Sequence, residues 1–262
     1  MRVCILIFLA LSTILKTPNT LAQSAQAYQP KFCNGIAIEF GSGAWAVRDG
    51  YVSGERYSGS LPFFAMKWTR LNGKSGYCLG LEYRESKEIR NNNIDTQIIQ
   101  FSFFRDYYYS VGTITLFSKD VHAFVGPSPE FFFYYNQPDI ARNGMYLNLS
   151  FASLLSLGAN GLVIMPLGKR FQAEAAVRTN LISVGLRMVE LIDRDVGTDA
   201  PPLKFLTPFS GLHARLNIGL RYALTGSLSV KVNYRSHVTR IVAWEDLVSA
   251  SDNLSAEMTL SF

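Results

Sequence analysis

The stretch SLSVKVNYRSHV, residues 227–238, alternates apolar and polar side chains without a break. Leu228, Val230, Val232 and Tyr234 fall on one side of an extended chain, and Ser229, Lys231, Asn233 and Arg235 on the other. This is the period of a β-strand. The preceding stretch SGLHARLNIGLRY, residues 210–222, does the same. Leu212, Ala214, Leu216, Ile218, Leu220 and Tyr222 share one face, and Gly211, His213, Arg215, Asn217, Gly219 and Arg221 the other. Thr225-Gly226-Ser227 between them reads as a short turn, so the pair reads as a hairpin with one apolar and one polar face. Alternation alone does not say which face is wet. A soluble sandwich turns the polar face outward, whereas a membrane barrel turns it inward.

Three features favour the barrel. Several alternating stretches exceed the 5–6 residues usual in soluble sheets and match the ~9–11 that cross a bilayer at a tilt. The polar faces carry charges that suit a small closed lumen, with Glu82 beside Arg84, Glu174 beside Arg178, Lys231 beside Arg235, and Glu257. Aromatic residues cluster near expected strand ends, as in the run from Phe131 through Phe132, Phe133 and Tyr134 to Tyr135, and in Phe63, Phe64 and Trp68. Such rings suit an interfacial girdle.

The first residues point the same way. Arg2 precedes an apolar run over residues 3–15, Pro18 breaks it, and Thr20-Leu21-Ala22 is a small-x-small cleavage site. Residues 1–22 therefore read as a signal peptide, with an alternative end at Ala27 after Ala25-Gln26-Ala27. Its run of about 13 residues falls short of the ~20 a spanning helix needs. After it, residues 154–167 come nearest to a membrane helix, but Ser156, Gly158, Asn160, Gly161 and Pro166 interrupt them. The formal net charge is +5, and without the leader's Arg2 and Lys16 it is 5 − 2 = +3. No basic run accompanies that modest excess, so nucleic acid is not an expected partner.

The alternation extends through SAEMTLSF, residues 255–262. Leu254, Ala256, Met258, Leu260 and Phe262 face one way, and Ser255, Glu257, Thr259 and Ser261 the other. This ending resembles the final strand of bacterial outer-membrane β-barrel proteins. The resemblance implies an all-β fold, a closed antiparallel transmembrane β-barrel over residues 35–262, with residues 23–34 as a periplasmic lead-in. It further implies the outer membrane of a Gram-negative cell as location and its lipid as surroundings. It also implies the barrel-assembly machinery as the partner during biogenesis, with Phe262 as part of the assembly signal.

Loop lengths set the topology, since periplasmic turns are short and outer loops long. Short turns are expected at Asn72-Gly73-Lys74, Ser118-Lys119-Asp120, Gly168-Lys169-Arg170 and Thr225-Gly226-Ser227. Longer loops are expected at residues 42–59, 86–94, 136–144, 191–208 and 245–253. Turns and loops alternate, which gives ten strands with both termini periplasmic. Two expected strands, residues 95–117 and 145–167, are overlong. Splitting both, near Arg105-Asp106-Tyr107 and Ala159-Asn160-Gly161, gives the alternative of twelve.

The residues with chemistry are few. His122, His213 and His237 show no metal-ligand spacing. Ser236 and His237 are adjacent and so point to opposite faces of a strand. His122 and Ser128 share parity with Glu130 but lie six residues apart, roughly 20 Å at strand rise. No catalytic set, metal site or cofactor site emerges. The candidate site is the lumen cluster Glu82, Arg84, Glu174, Arg178, Arg215, Arg221, Lys231, Arg235 and Glu257, with Lys67 and Glu39 also on polar faces. Cys33 and Cys78 form a candidate disulfide in a compartment that permits one. The leading function is a small non-enzymatic barrel with a structural or binding role, its extracellular loops meeting a surface ligand or partner protein. A narrow channel or transport barrel for small solutes is the alternative, and a lipid-modifying enzyme the third reading.

Overall fold

The computed structural model describes residues 34–50, 52–90, 95–138, 149–190, 203–244 and 246–262. The leader, Cys33 and most of the loops at 136–144 and 191–208 lie outside them. Twelve strands follow in chain order: β1 (Asn34–Asp49), β2 (Ser53–Ser60), β3 (Phe63–Leu71), β4 (Ser75–Arg90), β5 (Asp95–Leu116), β6 (Lys119–Pro138), β7 (Leu149–Pro166), β8 (Phe171–Glu190), β9 (Lys204–Leu206), β10 (Gly211–Ala223), β11 (Leu228–Ile241) and β12 (Leu247–Ser261).

Every pairing is antiparallel, and the sheet closes on itself. β12 pairs with β11 on one side and with β1 on the other, from Gly35↔Ser261 to Asp49↔Leu247. Closure leaves no free edge, so the backbone donors and acceptors of the staves meet partners within the ring. Two staves are composite. β3 pairs with the lower half of β1 and β2 with its upper half. The break between them falls at Pro62, which has no N–H to give to a ladder. Likewise β9 and β10 pair with successive parts of β8, separated at Thr207, whose carbonyl accepts from the Ser210 and Gly211 N–H groups. Counting each composite once, the described residues form a ring of ten staves.

The expected turns at residues 72–74, 168–170 and 225–227 lie between strands at one end of the ring. The fourth is displaced. The β5–β6 turn is Phe117-Ser118, both with positive φ (51° and 60°), while Lys119 and Asp120 already pair in β6. Two left-handed residues match the twist that a two-residue hairpin requires. At the opposite end three expected loops are largely strand. Most of residues 42–59 form the β1–β2 hairpin, β4 runs on to Arg90, and β12 starts at Leu247. Their Ser, Gly and Arg residues read as loop because the sequence carries no sign of the partner strand that satisfies their backbone. The overlong strands stay whole: Arg105, Asp106 and Tyr107 pair without a gap to Leu79, Cys78 and Tyr77, and bulges at Ser110/Gly112 and Leu157/Gly158 absorb the local twist.

The alternation decides which side chains leave the ring. Leu216, Ile218, Val232, Leu254, Met258 and Leu260 are exposed on the outside, as are Ile36, Phe40, Met66 and Leu155. Arg215, Lys231, Arg235, Asn253 and Glu257 are buried inside. A polar interior within an apolar outer face is the inverse of a water-soluble protein and suits a ring set in lipid. At the turn end the outer face carries aromatic rings: Trp68 stands edge-on to Tyr77 at 5.5 Å, and Phe171 lies 4.8 Å from Tyr222.

Candidate functional site

The interior is stacked in three layers along the ring axis. The layer towards the long-loop end is apolar. Trp45, Val47, Tyr57, Leu61, Ile89, Ile98, Phe132, Tyr134, Leu154, Leu206, Ile241 and Leu247 form one buried cluster, with Ala243 and Trp244 packed against it. Asp49 and Arg187 form a fully buried ion pair at this end. Three aromatic residues of the interior depart from the sequence reading. Phe132 and Tyr134 belong to the plug, although the whole run was expected in the girdle. Phe63 is also buried inside, beneath the guanidinium groups of Arg84 and Arg235 at 5.1 and 4.6 Å. A run of consecutive aromatics has no polar alternation, so its periodicity cannot say which rings point in.

The middle layer is a chain of alternating charges. Asp106 takes the Arg178 guanidinium, through Nε at 2.9 Å and through Nη2. Arg178 reaches Glu130 at 3.9 Å, and Glu130 forms an ion pair with Arg215 at 2.6 Å. Arg215 lies 3.5 Å from Glu82, which also holds Arg235 at 2.5 Å and Arg84 at 2.6 Å. Arg235 leads to Glu39 at 3.5 Å, and Lys67 bridges Glu39 and Glu257 at 2.6 and 2.7 Å. Glu257 and Glu174 are joined twice, by Arg221 at 3.0 and 2.6 Å and by Lys231 at 3.6 and 2.9 Å. Every stave except β7 contributes a charge. The chain holds six carboxylates, Glu39, Glu82, Asp106, Glu130, Glu174 and Glu257. It holds seven cations, Lys67, Arg84, Arg178, Arg215, Arg221, Lys231 and Arg235. An alternating sequence lets each ion meet a counter-ion where water is scarce, which offsets the desolvation of both.

All nine residues of the candidate lumen cluster project into the ring and stand in this chain; Glu82 and Arg84 pair along β4 as expected, whereas Glu174 and Arg178 find other partners. Glu174 meets Arg221 and Lys231 of neighbouring staves, while Arg178 turns to Asp106. Residues four apart on a strand are roughly 13 Å apart, so cross-strand partners win. Glu39 and Lys67, noted only as polar-face charges, are full members. Glu130 appears in the sequence only beside His122 and Ser128. Asp106 goes unread, because Arg105-Asp106-Tyr107 looks like a break. Its parity with Phe104 and Tyr108 is the signal that would have found it.

The histidines separate. His122 contacts Thr113 at 3.1 Å near the Phe117-Ser118 turn, and Ser128 donates instead to Asp106 at 2.5 Å. His213 and His237, not linked by any sequence spacing, are brought ring to ring across β10 and β11, their centroids 4.5 Å apart. Thr239 Oγ1 lies 2.9 Å from His213 and 3.1 Å from His237, and the ring of Phe132 in the plug meets that of His213 at 4.5 Å, tilted by 47°. The two rings thus join the apolar layer to the charged one. Among the described residues, no group of three or more His, Cys, Asp or Glu is placed to hold a metal ion.

The third layer, towards the turn end, is a cavity of about 150 Å³. Its walls include Leu71, Cys78, Phe104, Tyr108, Leu162 and Ile164, most of which form a second buried apolar cluster. Phe104 lies flat under Arg178, whose guanidinium carbon is 3.6 Å from the ring centroid. Gly80 of β4 makes this possible, because a Cβ there would come within 2.1 Å of the Phe104 ring. Cys78 is buried and accepts from Thr69 Oγ1 at 3.4 Å. Its proposed partner Cys33 lies outside the described residues.

No protein-family model matches the chain, and no curated protein matches it. Solved structures do. Outer-membrane protease OmpT from Escherichia coli superimposes with a TM-score of 0.53 at 8% identity, over 93% of this chain and 99% of that one. The translocator domain of the autotransporter NalP from Neisseria meningitidis gives 0.46 at 12% identity, over 97% and 92%. Neisserial surface protein A gives 0.37 at 10% identity, over 87% and 97%. At such identities the likeness is one of fold. The fold is that of the bacterial outer-membrane β-barrel proteins.

Proposed function

We propose that this protein is an occluded barrel of the outer membrane, which acts through the loops at its outer end on a surface ligand or partner protein. The observation that carries the reading is the filled lumen. The apolar plug around Phe132, Tyr134, Trp45 and Leu247 and the charge chain beneath it succeed one another along the axis. A solute crossing the ring would have to displace buried aromatics and part paired ions. Small barrels fill their interiors with side chains, and only wider ones leave an aqueous channel. The lumen then serves as a rigid support, and recognition falls to the segments joining β4 to β5, β6 to β7 and β8 to β9. In this orientation the four short turns and both ring termini face the periplasm.

The reading assigns no reaction. His213 and His237 are packed beneath the plug, and their contacts are to Thr239, Arg215 and Glu130. The test is single-channel recording on the full-length mature barrel in a planar bilayer, which is expected to show no steady conductance. Regular openings in unmodified protein would overturn the proposal in favour of a conduit.

A further inference from the structure

The cavity at the turn end is not simply the remainder of a filled ring. All seven cations of the charge chain line it, but only three of the six carboxylates do, namely Asp106, Glu174 and Glu257. The other three, Glu39, Glu82 and Glu130, stand outside its lining. The wall is thus more cationic than the chain as a whole, which itself carries one more cation than carboxylate. Buried donors also remain unspent there. Arg178 Nη1 and Arg215 Nε and Nη1 make no hydrogen bond, although Glu130 lies 3.9 Å from Arg178 Nη1 and Glu82 3.5 Å from Arg215 Nη1, and both residues line the cavity. A guanidinium donor left unpaired in a dry site is costly, and an anion repays that cost better than a neutral group does.

The rest of the wall mixes uncharged polar residues, among them Thr69, Asn160, Gln172 and Thr259, with an apolar patch. Phe104 and Tyr108 from β5, Leu162 and Ile164 from β7, and Leu71 from β3 surround the charged surface. Leu71, Ile164 and Thr259 each lie within two residues of the end of their strand, so the cavity reaches the turn-end mouth, while the apolar plug closes the other end. A space near 150 Å³ among apolar groups accommodates a molecule of about benzene size.

We propose that this cavity is a binding site for a small organic monocarboxylate, up to benzoate in size, that enters from the turn end. Its carboxylate would lie on Arg178 and Arg215, and its apolar part against Phe104, Leu162 and Ile164. The charge selects the anion, and the apolar patch selects an organic anion over an inorganic one. This site is independent of the loops at the outer end, so the loop-borne function and the lumen site stand or fall separately.

The test is calorimetric titration of sodium benzoate into the refolded full-length mature barrel in detergent, at constant ionic strength. Saturable one-to-one binding is expected, with benzamide, the uncharged analogue of the same shape, and inorganic phosphate binding at least tenfold more weakly. Ala176 lines the cavity between Glu174 and Arg178 without making an ion pair. Ala176→Leu fills the space and leaves the charges in place, so it should lower benzoate affinity at least tenfold while the barrel keeps its heat-modifiable migration on gels. Arg178→Gln should weaken benzoate and leave benzamide unchanged. No saturable heat would overturn the proposal, as would equal binding of benzamide, equal binding of phosphate, or unaltered affinity in a folded Ala176→Leu barrel.

Discussion

At the scale of single residues, the lumen is governed by the cost of a lone charge. Asp106 is 4% exposed and accepts two donors from Arg178 and one from Ser128. Asp106→Asn should leave Arg178 with one distant carboxylate, Glu130 at 3.9 Å. Breaking a buried pair from one side costs ~3–5 kcal/mol, whereas replacing both partners with apolar groups is often near neutral. Urea unfolding in detergent should therefore show Asp106→Asn destabilised by that order, and the double variant Asp106→Leu with Arg178→Met recovering most of the loss. A single variant indistinguishable from the parent would mean that the chain carries little of the stability.

At the scale of elements, each stave is a strip with two unlike solvents. Ile218 of β10 is 49% exposed on the outer face, and its cross-strand partner on β11 is Tyr234. Ile218→Lys should cost ~2–4 kcal/mol if the site lies near the bilayer midplane, less towards an interface, measured as a shift of the unfolding midpoint in lipid vesicles. The same change at Asn217, on the inner face, would act by crowding the lumen instead. β12 offers a second case. Phe262 is 75% exposed, and its N–H donates to the Asn34 carbonyl at 2.9 Å. It shares the outer face with Met258 and Leu260, so removing it deletes an interfacial ring and no lumen group. We expect a Phe262 deletion to lower the amount of barrel in the outer membrane, scored by immunoblot of membrane fractions, with unchanged unfolding of the protein that does insert. Normal accumulation would argue against an assembly role for this residue.

At the scale of the whole molecule, closure and orientation are linked. With β1 paired to β12 and short turns gathered at one end, a ten-stave ring places the β6–β7 connection on the side opposite to the termini. A peptide tag inserted within residues 139–144 should be labelled by antibody on intact cells. Labelling only after permeabilisation would reverse the orientation or add staves. The three interior layers also act together. The plug keeps water from the outer end of the charge chain, which strengthens each ion pair by lowering the local dielectric. The chain in turn anchors nine of the ten staves to one another.

Much of this was legible in the sequence. The alternation through residues 210–238 and 254–262 determined which residues face lipid and which face the lumen, because a strand has only two faces and a period of exactly two residues fixes the assignment once the outside is known to be apolar. Arg215, Arg221, Lys231, Arg235 and Glu257 were therefore readable as interior residues. Their partners were not. Lys67 bridging Glu39 to Glu257, Arg178 holding Asp106, and His213 meeting His237 all depend on the stagger between strands, which backbone pairing sets and which no single strand encodes. The extent of the strands was hidden for the same reason: residues 42–59 look like loop until β2 pairs with β1. The division of the aromatic run at residues 131–135 between plug and lipid also needed the ring, since identical neighbours carry no alternation. Sequence alone determined the two faces and the direction of each. Only the closed ring decided which charges meet and where the lumen fills, because those depend on distances across a tube that forms only when its last strand finds its first.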